Sequence, residues 1–189
     1  DSWQRQNISP PTDTLDISQD GIPKPSTEFV GKADLPNVSS GYQLLNGKTI
    51  EVKTDKYNLS ISEIGGDIRK LTLSDHLADN YIDDYVLFSD ASDPLLDSLL
   101  YVAQSGLLGK NLPSHKSKFI FEKNSYTLNG DTLSVPMTFN SPEVSVKKTY
   151  QFSKNSYLIN VRYDVQNKTQ TTIVPTAYFQ LIHDGDSNQ

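Results

Sequence analysis

Between Thr49 and Leu73 the chain reads TIEVKTDKYNLSISEIGGDIRKLTL, and apolar and polar side chains trade places along it. Ile50, Val52 and Thr54 alternate with charged residues; Tyr57, Leu59 and Ile61 then alternate with Asn58, Ser60 and Ser62. A period of two sends one set of side chains to a buried face and the other to water, as a strand requires. Asp55-Lys56 between the runs is short enough for a tight turn, so the spacing predicts a hairpin. Gly65-Gly66 interrupts the pattern where a positive φ or a bulge is tolerated, and Ile68, Leu71 and Leu73 resume it as a third strand. A glycine pair can also cradle phosphate, but that needs a helix N-terminus behind it. Lys70, Thr72 and Ser74 alternate with apolar neighbours as a strand would, so the pair reads as a turn between strands.

The same reading continues downstream. Asp75 to Asp97 is an acidic stretch with Asp75, Asp79, Asp83, Asp84, Asp90, Asp93 and Asp97, predicted as a solvated loop broken by a short strand, Tyr85–Phe88. It lacks the alternating oxygen ligands, central Gly and closing Glu of a calcium loop. Leu95, Leu96, Leu99 and Leu100 after Pro94 fit one helical turn leading into a strand at Tyr101-Val102-Ala103. Ser105 to Lys118, with Gly106, Gly109 and Pro113, reads as a loop. Phe119–Glu122 and Tyr126–Leu128, separated by Lys123-Asn124-Ser125, read as a hairpin. Leu133 to Phe139 alternates after the turn signal Asn129-Gly130-Asp131. Val144–Phe152 alternates with Lys148 as the only polar interruption on its apolar face, and Tyr157–Val165 follows the same rule. Asn167-Lys168-Thr169 turns the chain into Thr171–Ile182, where Pro175 points to a sheet edge or a bulge. The fold class is mainly β, and an antiparallel meandering sandwich is the natural packing. Phe179, Leu181 and Ile182 still read as a strand close to the last residue, leaving an apolar edge that neighbours normally cover. We expect either further chain of the same domain or another copy along that edge.

Residues 1–47 are a different material. Pro10, Pro11, Pro23, Pro25 and Pro36 stand among Ser, Thr, Asp, Asn and Gln, with too little apolar area to offset the entropy of ordering. This predicts a flexible linker ahead of a domain spanning 48–189. Trp3 reads either as a membrane-interface anchor behind a removed transmembrane helix or as a lone aromatic in a tail. The chain starts without Met, and the simplest expectation is a piece of something longer. With 35% hydrophobic residues and a mean hydropathy of −0.49 no run approaches a membrane span. The net charge of −6 repels polyanions, which disfavours nucleic acid as a partner and anionic lipid through a basic patch. The absence of Cys removes disulfides, thiolate catalysis and Cys-based zinc sites.

Candidate chemistry is thin. His76, His115 and His183 each stand in loop-like context, far apart and without metal-ligand spacing, and a loop histidine is usually solvated. The best local metal candidate is His183-Asp184-x-Asp186, next to a terminus. Gln104-Ser105-Gly106 lacks the first glycine and the strand-to-helix turn of a serine nucleophile elbow. Paired carboxylates for glycoside chemistry stay open, since their separation is spatial, but Glu51, Glu63, Glu122 and Glu143 each fit a polar strand face or a turn. Asn7, Asn37, Asn58 and Asn167 open glycosylation sequons, relevant only in a eukaryotic secretory pathway. No catalytic, cofactor-binding or metal residue is assigned.

An ordered set of segments carries a family resemblance: Ile50-Glu51-Val52-Lys53-Thr54-Asp55, the Gly65-Gly66-Asp67 break, and Tyr101-Val102-Ala103-Gln104-Ser105-Gly106-Leu107-Leu108-Gly109. Leu133 to Phe139 (LSVPMTF), Lys147-Lys148-Thr149-Tyr150 and Tyr157 to Asn167 (YLINVRYDVQN) complete it. From Thr49 to Ile182 this resembles the periplasmic domain of the bacterial YidC/Oxa/Alb membrane-protein insertases, and Trp3 with its polar, Pro-rich follower resembles that family's link from a first transmembrane helix. The resemblance implies a β-supersandwich related to galactose mutarotase, of which 48–189 would be the N-terminal portion. It implies a non-catalytic part of a multi-pass inner-membrane protein, exposed in the periplasm of a Gram-negative bacterium, that helps insert and fold membrane proteins. SecD/SecF of the Sec translocon and nascent membrane proteins are the partners it implies, and no cofactor. The segments tied to the Sec contact lie around or beyond Gln189, so no partner-binding residue is carried over.

Two other readings stand beside it. A mutarotase-like carbohydrate-binding or sugar-epimerising domain needs an acid–base pair converging on one ring, and shared fold alone does not supply function. A cell-surface structural or adhesive β-domain is the third. Whichever holds, a free edge after Ile182 suits addition of an extended peptide.

Overall fold

The computed structural model describes residues 44–78, 82–92 and 100–183. Trp3, nearly all of the 1–47 segment, the helical turn expected at Leu95–Leu99, and Asp184 and Asp186 therefore lie outside the described residues. Among the described residues there are eleven strands: β1 Thr49–Lys53, β2 Tyr57–Ser62, β3 Ile68–Leu77, β4 Asp84–Phe88, β5 Tyr101–Leu108, β6 Ile120–Phe121, β7 Ser125–Thr127, β8 Thr132–Asn140, β9 Val144–Ser153, β10 Ile159–Asn167 and β11 Thr176–His183. No helix occurs among the described residues. The strands form two sheets, one ordered β11-β5-β3-β2-β1-β7 with β4 also on β3, the other β10-β9-β8-β6.

The alternating runs became strands for the reason the pattern states. Ile50 and Val52 of β1 are buried between exposed neighbours, and β9 buries Val144, Val146, Lys148, Tyr150 and Phe152 in strict alternation. Ile50, Leu59, Ile61 and Leu71 from the larger sheet pack with Phe119, Val135, Met137 and Phe152 to make the main core. Each such side chain contributes about 1.5–3 kcal/mol by leaving water. A second cluster gathers Leu107, Val144 and Val146. β1 and β2 pair antiparallel across the predicted turn, with Thr54 Oγ1 donating 2.8 Å to the Tyr57 carbonyl. Gly65 and Gly66 both have positive φ, 71° and 65°, confirming the turn.

Three local expectations are corrected. Phe119–Leu128 is no hairpin: β6 pairs with β8 in the smaller sheet, whereas β7 pairs with β1 in the larger one, and in parallel. β5 continues through Ser105 to Leu108, because Gly106 is a strand residue whose missing side chain admits the Tyr178 ring; a Cβ there would lie 2.5–2.8 Å from that side chain. β3 likewise runs on through Asp75 and His76, so the acidic loop begins later than expected.

The segment after β5 folds back over the end of the sandwich near the glycine pair. Gly65 N–H donates to the Ser117 carbonyl at 2.7 Å and Phe119 N–H to the Glu63 carbonyl at 2.7 Å. Among the described residues β11 edges its sheet and β10 edges the other. Phe179 and Leu181 lie opposite Ser105 and Ala103 in register, and Ser105 Oγ meets Tyr163 Oη of β10 at 2.9 Å. That face is turned toward the smaller sheet, yet Phe179 and Leu181 remain exposed: β11 overhangs.

A Cβ on Gly66 would sit 2.5 Å from Met137 Sδ and 3.1 Å from Lys148 Nζ, on a left-handed backbone. Gly66→Ala is expected to cost about 2–4 kcal/mol from strain and overpacking together. Urea denaturation checks this, and an unchanged midpoint would show that the turn tolerates a side chain.

Candidate functional site

The groups able to do chemistry meet at the closed end, and they are buried. Lys148, inward-facing on β9, reaches from the smaller sheet to the β2–β3 turn. Its Nζ donates to the Gly65 carbonyl at 2.7 Å and to the Gly66 carbonyl at 3.2 Å. Tyr150 Oη, two residues along the same face, donates to the Gly66 carbonyl at 2.6 Å. Two positive φ values in succession turn these carbonyls into the interior. The rings of Tyr150, Tyr163 and Phe119 lie 5.1, 5.6 and 6.0 Å from the ammonium, a partly aromatic enclosure favourable to a cation.

Asp67 follows the turn directly, and both it and Lys148 are fully buried. Its Oδ2 accepts from Gln104 Nε2 at 2.7 Å and pairs with Arg69 Nη2 at 3.3 Å. Gln104 Oε1 accepts from Gln180 Nε2 at 2.8 Å, so β3, β5 and β11 are tied through one carboxylate. Arg69 Nη2 also donates to the Leu45 carbonyl at 3.2 Å, holding the chain that precedes β1. His115, from the segment closing the end, meets Tyr178 Oη through Nδ1 at 2.7 Å, and its backbone N–H donates to the same oxygen at 2.9 Å. Asp67 Oδ1, Arg69 Nε and His115 Nε2 make no hydrogen bond to protein.

Burial dominates the electrostatics. Loss of water pushes the Asp67 carboxyl up to about 6, against the opposing pull of Lys148 and then Arg69. The same loss brings Lys148 down to about 7, with Asp67 opposing. His115 falls to about 4, through burial first and then the cations Lys116, Arg69 and Lys148, so it is neutral at pH 7. Tyr150 and Tyr163 are both raised by burial and stay protonated. An acid and a base poised near neutrality are thus present, but both are sealed inside packed side chains. The arrangement can hold two sheets and a loop in register.

The residues singled out from sequence scatter. His76 lies on β3 and His183 ends β11, both exposed, while His115 is buried, contrary to the expectation for a loop histidine. Ser105 is a buried strand residue bonded to Tyr163. Among the described residues no group of three or more His, Asp or Glu is placed to hold a metal ion. An open depression of about 510 Å³ lies away from the cluster, lined by Lys110, Asn111, Glu143, Asn167, Thr169 and Thr171 among others, with no aromatic side chain. Sequence reasoning missed Asp67 and Gln104 and noted Lys148 only as an interruption. An inward-facing lysine in an alternating strand was the available signal.

The family model described as the YidC periplasmic domain matches residues 49–189. The chain belongs to that family. Curated relatives named "Membrane protein insertase YidC" agree: the protein of Methylobacillus flagellatus is 37% identical over 201 residues, covering 100% of this chain and 36% of the relative. That of Nitrosomonas europaea is 34% identical over 92% of this chain and 30% of its own length, and that of Laribacter hongkongensis 36% identical over 89% and 30%. The chain thus spans about a third of the length of these relatives. In this member of the YidC periplasmic-domain family, the lysine-to-glycine contact joins the two sheets at the closed end.

Two outcomes follow from this geometry. Lys148→Met leaves the Gly65 carbonyl without its ammonium donor and Asp67 with one cation fewer, and is expected to cost about 3–5 kcal/mol at pH 7 in urea denaturation. Asp67 has a raised folded-state value, so its contribution is full below about 3.8 and is lost as pH rises through about 6. His115 is depressed, so its contribution is full above about 6.5 and is lost as pH falls through about 4. The two oppose each other over the same window, so the wild-type profile alone does not separate them. Asp67→Asn is expected to gain on the wild type from pH 4 to pH 7, by on the order of 3 kcal/mol. A difference between the two that does not change with pH would remove Asp67 as the titrating group.

Proposed function

We propose that this chain is the N-terminal portion of the periplasmic sandwich of an inner-membrane insertase, a non-catalytic scaffold that helps membrane proteins insert and fold by holding partners. The observation that carries it is the family match over 49–189 with relatives named as insertases. On this reading residues 1–47 link the sandwich to a preceding transmembrane helix in a multi-pass protein. SecD/SecF of the Sec translocon and nascent membrane proteins are the partners. The burial of Asp67, Lys148 and His115 supports a passive role, because a general acid or base must reach its substrate within hydrogen-bond distance.

The β11 overhang fits the same proposal. Phe179 and Leu181 face the smaller sheet from beyond its last strand, β10, and further strands of the longer protein would cover them. Hydrogen exchange comparing this chain with the intact protein is expected to show added protection in β11; equal protection would sink this part.

For the role itself, photo-crosslinkers placed on the exposed face of this domain in the intact protein, in its membrane, are expected to capture SecD or SecF. Calorimetric titration with monosaccharides is expected to give no saturable heat. Stereospecific saturable heats without Sec crosslinks would replace the scaffold reading by the sugar-active one.

A further inference from the structure

Asn129-Gly130 marks a tight turn by its sequence, yet the usual reason for pairing these two residues is missing in the structure. A two-residue hairpin turn favours asparagine and glycine because its central residues need positive φ. Neither Asn129 nor Gly130 has a positive φ, and the strands they connect, β7 and β8, lie in different sheets. A Cβ built on Gly130 meets no atom within 4 Å, so packing does not call for glycine either. Both residues are exposed. Backbone hydrogen bonds hold the connection at its two ends. Leu128 N–H donates to the Lys53 carbonyl of β1 at 2.9 Å, and Lys154 N–H, at the end of β9, donates to the Asp131 carbonyl at 2.9 Å.

We propose that Asn129 is a self-modification site, where the chain converts its own asparagine to isoaspartate, and that the product loosens this crossing between the sheets. The Gly130 nitrogen attacks Cγ of Asn129. The N–Cγ bond forms, the Cγ–Nδ2 bond breaks, and Nδ2 leaves as ammonia with the proton of Gly130 N–H. Solvent water then opens the cyclic imide. Addition at Cγ gives aspartate on the ordinary main chain. Addition at the Asn129 carbonyl carbon breaks its bond to the Gly130 nitrogen and routes the main chain through the side chain. Glycine suits the second position because a Cβ would crowd the attacking nitrogen.

Asn46-Gly47 is the same dipeptide in another setting. A Cβ on Gly47 would lie 2.7 Å from Ile64 Cγ1 and 3.0 Å from Glu63 Cγ, so side chains crowd its backbone. Arg69 Nη2 donates to the Leu45 carbonyl at 3.2 Å, and Glu63 N–H to the Lys48 carbonyl at 2.8 Å. Swinging the Gly47 nitrogen toward Asn46 Cγ disturbs these contacts, whereas Gly130 moves in open space. Isoaspartate at 129 would place one extra main-chain carbon between anchors on different sheets, and a carboxylate beside Asp131 where the amide was neutral. The inference rests on this connection and does not depend on the insertase reading.

The test holds the whole chain in mildly alkaline buffer and follows it by peptide mapping with mass spectrometry, isoaspartate being identified by enzymatic methylation of its carboxyl group. The peptide containing 129–130 is expected to exchange amide for acid first, with isoaspartate among the products, and the peptide containing 46–47 several-fold more slowly. In urea the two pairs are expected to react at similar rates. Gly130→Ala, checked by circular dichroism for wild-type folding, is expected to slow conversion at 129 about tenfold or more. The Leu128 amide is expected to exchange hydrogen faster in the isoaspartate form than in Asn129→Asp, which has the same charge on an ordinary main chain. Equal rates at the two pairs in the folded chain would overturn the proposal, as would conversion at 129 only in urea or an unchanged rate in Gly130→Ala. Identical Leu128 exchange in the isoaspartate form and Asn129→Asp would overturn the loosening of the crossing.

Discussion

A lysine ammonium in the interior is the constraint on which the rest of this domain depends. Lys148 gives up water entirely to reach two glycine carbonyls of the other sheet. Desolvating an ammonium costs several kcal/mol even after relaxation, so the contact persists only if its surroundings are fixed in advance. They are: only a glycine pair takes two positive φ values at so little cost, and Tyr150 and Tyr163 wall the cation with protonated rings. Asp67 supplies negative charge without being an isolated anion, because Gln104 and Arg69 hold it.

Buried polar groups of this kind specify more than they stabilise. An apolar residue at 148 would pack against either neighbour of the turn about equally well, whereas an ammonium accepts only the geometry that answers its donors. The carboxylate extends that selectivity sideways through Gln104 to Gln180, placing β11 against β5 in one register. Tyr178 adds the loop, since its hydroxyl meets His115 while its ring fills the space left by Gly106. Four segments distant in sequence are thereby set against one another by hydrogen bonds that a slip of one residue would forfeit. The apolar core supplies most of the driving force, and the cluster decides which of many apolar packings is the native one.

This division explains what could be read from the residues. Period-two alternation marks a strand by itself, so β1, β2, β8, β9 and β10 were legible within a residue or two at their ends. Pairing is a matter of distant partners: nothing local distinguishes β6 and β7 as members of different sheets, and their short, adjacent runs imitate a hairpin. Gly106 imitates a loop signal because its reason for being glycine, the Tyr178 ring, is supplied by β11. His115 follows the same logic, a loop residue buried by a tyrosine from elsewhere. Lys148 was visible as a polar residue in an apolar row, and such a violation of pattern often marks a position chosen for geometry. Its partners, being backbone carbonyls, leave no side-chain signature at all.

Interior and margin of the molecule divide its chemistry between them. Groups with values near neutrality, Asp67 and Lys148, are closed off, while apolar side chains such as Phe179, Leu181, Ile82 and Leu87 stand in water. A reacting centre needs polar groups convergent on a cleft, whereas an adhesive scaffold needs a rigid interior and apolar edges. The sealed cluster supplies the rigidity, because hydrogen bonds from both sheets and the closing loop must break together for the end to open. Edges on such a frame keep their unpaired main-chain groups in place before a partner arrives, which lowers the ordering cost of binding. A rigid interior and apolar margins held in place are therefore one property, and the buried lysine is where it originates.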